Sequence, residues 1–461
     1  MLPWTIFFIL CLITFLAFVV NFYNKREFYQ IASKIPGPFS LPILGDAYLF
    51  LGNTEKVYKN LLALSKKFGT NAVRLWLGNR LMIFFYNPED IKNILQNSKT
   101  FEKGDLYSLM EPWLGSGLVT AKGDVWKVHR KFIQPTFNQR ILNSFVDIFH
   151  KHSLILTKKL EKEINGEEFD INQYIAINSL AIIRESAMGI DEKEEESDSK
   201  KYRKALKKIL ETISQRTFKF WLQVDIIFKM TKLSTQFQES VNYLHNFTDK
   251  VIRAKRKKIG NNNFTVDDDD DSPKNMKPFL DLLMTLSEKE KIFTDSELRN
   301  EVDTIMFAGH DTTSLTASFT LLMLASHPEI QDKVYKEIYN VFGSQSPEEV
   351  PFKSEHVQYF PYLEKVIKET LRLFPVVPFL QRKVSDNFEI GEYTVPKGST
   401  VVVPVPNIHR DERIWPDPCK FNPERFSSEE IAKRHPYVYL PFSAGPKNCI
   451  GHCEEGQNKT N

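Results

Sequence analysis

Cysteine is scarce in this chain of 461 residues: Cys11, Cys419, Cys449 and Cys453 are the full set. Four thiols spaced this way supply no disulfide framework, which excludes the small cross-linked secreted classes and fits a reducing compartment. An excess of charge of one sign is also lacking. Lysine and arginine number 61 against 58 acidic residues, a net +3, too little for the basic footprint of a nucleic-acid binder. Internal repeats are absent. Low complexity is confined to 261–271, where asparagines lead into five aspartates after the basic stretch Arg253–Lys258; it reads as a solvated loop between helices.

What is present begins with one long apolar run. Leu2 to Tyr23 carries no charge, and Lys25-Arg26 follows it directly. That length crosses a bilayer as a helix. A cleaved leader would want its basic residues in front and a shorter apolar core, so residues 1–24 are expected to be a membrane anchor. The trailing basic pair places the rest of the chain on the cytosolic side. Ile35-Pro36-Gly37-Pro38 cannot continue a helix, and 25–47 reads as a basic, proline-rich hinge. With 42% hydrophobic residues the body can bury a large core. From Tyr48 to about Pro361 the pattern is mostly helical, with β-like runs at Ala72–Phe85 and Asn387–Pro404.

Cys449 lies in Phe442-Ser443-Ala444-Gly445-Pro446-Lys447-Asn448-Cys449-Ile450-Gly451. Gly445 and Gly451 permit tight turns that aim backbone N–H groups at the sulfur and let a flat group approach. Lys447 adds positive charge. Such surroundings favour a thiolate, and a thiolate on haem iron promotes O–O cleavage. The stretch resembles the haem-binding signature of the cytochrome P450 superfamily, Phe-x-x-Gly-x-Arg-x-Cys-x-Gly, with Lys447 in place of the usual arginine. The charge is kept, while bidentate pairing to a propionate is lost.

Other elements follow in that family's order. Leu298–Ser326 reads as one long helix ended by His327-Pro328, with an apolar second half expected to run through the core. In its middle Ala308-Gly309-His310-Asp311-Thr312-Thr313 would be costly to bury without a use. Ala308, Asp311 and Thr312 share a face, and small Ala308 and Gly309 would let a ligand lie against the backbone. Helical threonines can alternatively bond back to a preceding carbonyl. The stretch resembles the P450 oxygen-activation motif, which implies that Thr312 hydrogen-bonds the dioxygen and Asp311 relays protons from solvent. The longer run from Glu301 to Thr313 is similar to family 4, many of whose members carry a haem-esterifying glutamate where this chain has Ala308. Alanine cannot form that ester, so non-covalent haem b is expected.

Glu369 and Arg372 stand at i, i+3, and Pro423-Glu424-Arg425-Phe426 lies downstream. The resemblance implies a buried triad of Glu369, Arg372 and Arg425 beneath the haem. It likewise implies propionate contacts from Trp126 and Arg130, at helical i, i+4 spacing, and from Arg382. The whole implies a mainly α fold with small β-sheets, the cytochrome P450 fold, over 48–451, preceded by a single transmembrane helix in the endoplasmic reticulum membrane. Oxygen insertion into small apolar substrates, fatty acids, lipids or xenobiotics, would draw electrons from NADPH–cytochrome P450 reductase docked nearest Cys449, with cytochrome b5 as a further partner. The pocket would be lined by Tyr107 to Gly115, Phe307, Val376 and Val377. Residues 452–461 form a polar tail with no apolar stripe where the family has a further helix and hairpin. The alternative is therefore a catalytically silent, membrane-bound chain with an interaction role.

Overall fold

The computed structural model describes residues 20, 23–41, 44–69, 71–190, 196–261, 278–288, 290–346 and 348–452. Most of the expected anchor, most of the 261–271 loop and residues 453–461 of the tail lie outside the described residues. Among the described residues no helix is long and apolar enough to cross a membrane. The chain divides into two compact units, Met1–Gly104 with Phe379–Asn407, and Asp105–Pro378 with Ile408–Asn461.

The smaller unit is built on a four-stranded sheet of order β1-β2-β6-β3. Strands β1 (Ala72–Leu77) and β2 (Arg80–Phe85) form an antiparallel hairpin. Strand β6 (Thr400–Pro404) runs parallel to β2 and antiparallel to β3 (Phe379–Lys383). All of β6 is buried, which is why its Val-Val-Val run is continuous rather than alternating. A second ladder pairs β4 (Phe388–Ile390) with β5 (Tyr393–Val395). Part of the expected hinge is ordered here: Arg26–Ser33 is helical, and Phe28 and Tyr29 both pack on Trp76.

The larger unit is helical. The elements that matter below are α1 (Gly123–Ile133), α2 (Asn172–Ser186), α3 (Glu196–Phe218), α4 (Lys232–Asn261), α5 (Asp295–Ser326) and α6 (Pro361–Leu373). Helix α5 opens on a reciprocal capping box between Thr294 and Glu297, satisfying N–H groups that a helix start leaves unpaired. It packs along α2 and contacts α4 and α6.

The burial of α5 reverses the expectation from its apolar content. Its first half is the buried one, including Asn300, Glu301, Asp303 and Thr304, while Leu321 and Leu322 in the second half are 39% and 52% exposed. The acidic side chains Glu301 and Asp303 can be buried there because partners reach them, as described below; apolar content alone does not dictate burial. Gly117 lies flush against this half. A Cβ on it would fall 2.1 Å from Thr304 Oγ1 and 2.6 Å from the Asn300 carbonyl oxygen, closer than any side chain tolerates.

Candidate active site

The cysteine loop is held by its own backbone. Gly445 turns it at φ 74°, and Ser443 adopts φ 60° without being glycine, a conformation that costs energy and persists only where neighbours enforce it. The Cys449 N–H donates to the Phe442 carbonyl at 2.9 Å, and Asn448 N–H to the Gly445 carbonyl at 3.1 Å. The result presents the Cys449 thiol as exposed. A Cβ on Gly451 would touch its sulfur at 3.9 Å, so the glycine keeps that flank clear. Phe442 stacks on His452 with ring centroids 4.5 Å apart.

Helix α1 lies against this loop. Arg130 donates from Nη1 to the Asn448 carbonyl at 3.0 Å and from Nη2 to Asn448 Oδ1 at 2.9 Å, while its Nε reaches Gln134 Oε1 at 3.1 Å. One N–H on each terminal nitrogen is left over by these bonds. Burial pushes Arg130 down from its ordinary range, and the charge of Cys449 pulls it back up. Lys447, itself buried, places its ammonium 5.0 Å from the centre of the Trp126 ring, a cation–π distance. Trp126, Arg130, Lys447 and Cys449 thus converge. An exposed thiol within the field of Arg130, with Lys447 two residues away on the same loop and no side chain on its Gly451 flank, fits a haem: a sulfur donor for iron and cationic donors for propionates. Arg382 belongs to the smaller unit, where it is buried on β3 and donates to the Gln381 carbonyl.

Behind the loop the charge triad closes. Glu369 and Arg372 are fully buried. Arg372 Nε and Nη2 bind the two Glu369 oxygens at 2.7 and 2.9 Å. Arg372 Nη1 donates to the carbonyls of His409 and Pro418, and Glu369 also accepts the Asn422 N–H. Arg425 Nε stands 3.4 Å from Glu369. His409, which the sequence did not single out, joins this scaffold to the cysteine loop. One ring nitrogen meets the Arg372 carbonyl at 3.2 Å, and the other accepts the Leu440 N–H at 2.8 Å. That second role requires an uncharged imidazole, and burial pushes His409 down to about 3.

On α5, Phe307, Ala308, Asp311 and Thr312 are half-buried while His310 is fully buried. Thr312 Oγ1 donates to the Ala308 carbonyl at 2.6 Å, the back-bonded arrangement, which leaves its oxygen free to accept. Burial pushes Asp311 up to about 6, within reach of proton exchange near neutrality. Gly309 corrects an expectation: a Cβ there would meet Ile183 of α2 at 2.6 Å, so its smallness serves helix packing rather than a ligand. Trp113, within the expected pocket segment, packs edge-on against Phe307 at 4.8 Å. Val376 is half-buried and Val377 exposed.

Two carboxylates of α5 escaped the sequence reading. Glu301, fully buried, meets His129 Nδ1 at 2.6 Å and accepts the Leu118 N–H at 3.1 Å. Asp303 accepts from Thr248 of α4 at 2.5 Å, with His245 Nε2 3.8 Å from its other oxygen. Burial raises Asp303 from 3.8 to about 8. Between those values the folded chain holds a proton that the unfolded chain has released, so stability falls as pH rises through the window. The slope is at most about 1.4 kcal/mol per unit. Asp303→Asn removes this titration. The variant is therefore expected to lose less melting temperature between pH 5 and pH 8 than the parent, and equal losses would contradict the assignment.

A cytochrome P450 family profile matches residues 35–453, and the chain belongs to that family. Relatives similar to it include family 4 proteins. It is 36% identical to cytochrome P450 4c3 of Drosophila melanogaster, over 97% of this chain and 85% of that one. It is 37% identical to cytochrome P450 4c21 of Blattella germanica, over 97% and 89%. With human cytochrome P450 4V2 the identity is 39%, over 89% and 78%. The resemblance makes the chain a P450 monooxygenase with a haem-thiolate cofactor.

Proposed function

We propose that the chain is a haem-thiolate monooxygenase that inserts one oxygen atom from O₂ into fatty acids or related apolar molecules, with Cys449 as the iron ligand. The observation that carries this is the placement of Arg130 and Lys447 over the Trp126 ring, with Arg130 also bonded to Asn448 next to the exposed Cys449. The group, when bound, supplies oxygen activation. Cys449, its backbone N–H donated to the Phe442 carbonyl, would supply the sulfur ligand. Arg130, with its two remaining N–H groups, and Lys447 neutralise propionate charge. Thr312, its proton committed to the Ala308 carbonyl, would accept a hydrogen bond on its oxygen, and Asp311 would hold and release a proton on the same helix face. Trp113 and Phe307 form an apolar wall for the substrate.

Ala308 supports non-covalent haem b, because it offers no carboxylate for an ester. The uncharged run from Leu2 to Tyr23 supports a single-pass anchor in the endoplasmic reticulum membrane, with the body in the cytosol and electrons arriving from NADPH–cytochrome P450 reductase, assisted by cytochrome b5. In the test, the full chain with reductase and NADPH is expected to add one oxygen atom to a medium-chain fatty acid. Acidified organic solvent is expected to extract all of its haem. Haem retained covalently, or product formed equally without reductase, would contradict the reading.

A further inference from the structure

The buried His129–Glu301 pair stands apart from every role given so far. His129 lies between Trp126 and Arg130 on α1, inside the element expected to hold propionates, yet it points away from the cysteine loop's partners. Its ring is 3% exposed, packs against Phe293 at 4.8 Å between centroids, and meets Glu301 at 2.6 Å. Glu297, one turn earlier on α5, is 3.9 Å from the other ring nitrogen. Glu301 spends its second oxygen on the Leu118 N–H, in the chain segment leading into α1. On the next residue, Arg130 grips Asn448 twice. Consecutive residues of one helix therefore reach in two directions, one to the most buried part of α5 and one to the residue preceding Cys449.

We propose that the His129–Glu301 pair is a positioning device that fixes the placement of α1 on α5, and through Arg130 and Asn448 sets how the cysteine loop presents Cys449. A buried pair of this kind contributes specificity of placement more than net stability, because desolvation offsets its attraction. Helix α1 is short, and it meets the loop at two places, the Arg130 guanidinium on Asn448 and the Trp126 ring facing Lys447. A shift of the helix along α5 would move Arg130 off Asn448. The consequence for the iron ligand rests on the haem-thiolate reading above; the linkage itself does not.

The experiment compares His129→Phe, which keeps an aromatic ring without a polar atom, with His129→Gln, which restores a donor to Glu301. Hydrogen exchange is followed on the full chain at three amides: Leu118, bonded to Glu301; Cys449, bonded to Phe442; and Asn422, bonded to Glu369. In His129→Phe, Leu118 and Cys449 are expected to exchange about tenfold faster or more, with Asn422 unchanged, and His129→Gln is expected to restore both. The same variants are read by the reduced carbon-monoxide difference spectrum. The thiolate-type band should convert in part to the neutral-thiol type in His129→Phe and return in His129→Gln. Equal acceleration at Asn422, or an unchanged Cys449 amide, would overturn the proposal. Should His129→Phe fail to fold, Glu301→Gln carries the same comparison, with Cys449 again expected to exchange faster than Asn422. A parent chain without any thiolate-type band would sink the haem reading alone, since the exchange rates still decide the linkage.

Discussion

Replacing Arg372 by methionine is expected to abolish a stable cysteine loop. Methionine fills much of the same space but leaves the Glu369 carboxylate fully buried with its two strongest donors gone. The carbonyls of His409 and Pro418 lose their donor as well. Arg425, at 3.4 Å, is too poorly aligned to compensate. Removing one partner of a buried ion pair costs about 3–5 kcal/mol, against a total stability of about 5–15 kcal/mol for an ordinary domain. The loss is transmitted to the loop through His409, whose imidazole ties the Arg372 carbonyl to the Leu440 N–H. Chemical denaturation of the parent and the variant measures it. A loss below about 1 kcal/mol, the scale of an exposed ion pair, would mean that the triad is not the scaffold described.

The second large effect concerns the sulfur itself. Cys449→Ser is expected to remove the thiolate-type carbon-monoxide band completely, because a serine hydroxyl stays protonated where a thiol ionises and donates far less electron density to iron. Cys419 is the other exposed thiol among the described residues, and Cys419→Ser is expected to leave the band unchanged. The two variants measured side by side separate a specific ligand from a general sensitivity to cysteine loss. A Cys449→Ser protein that keeps the band would assign the ligand elsewhere.

The parts of the site legible in the sequence are those written in short-range spacing. Trp126 and Arg130 fall on one helix, Glu369 and Arg372 on another, and the long helix expected from Leu298 to Ser326 runs from Asp295 to Ser326. The turn at Gly445 was equally readable, since its positive φ suits glycine. What the sequence hid are contacts between residues far apart in the chain. His409 with Leu440, Arg130 with Asn448 and His129 with Glu301 leave no periodic trace, because each is made by tertiary packing. The same blindness explains α5. Its buried acids look too costly for a core until His129 and Thr248 are seen to reach them. Its apolar Leu321 and Leu322 look internal although both are well exposed. Gly309 was misassigned for a related reason, as only the structure shows Ile183 lying against it.

The reduced carbon-monoxide difference spectrum of the unmodified full chain, reconstituted with haem, decides whether Cys449 ligates the iron. A red-shifted, thiolate-type band is expected, set by the Cys449 sulfur on the loop that Arg130 holds. A spectrum with no haem band, or one of the neutral-thiol type throughout, would contradict it.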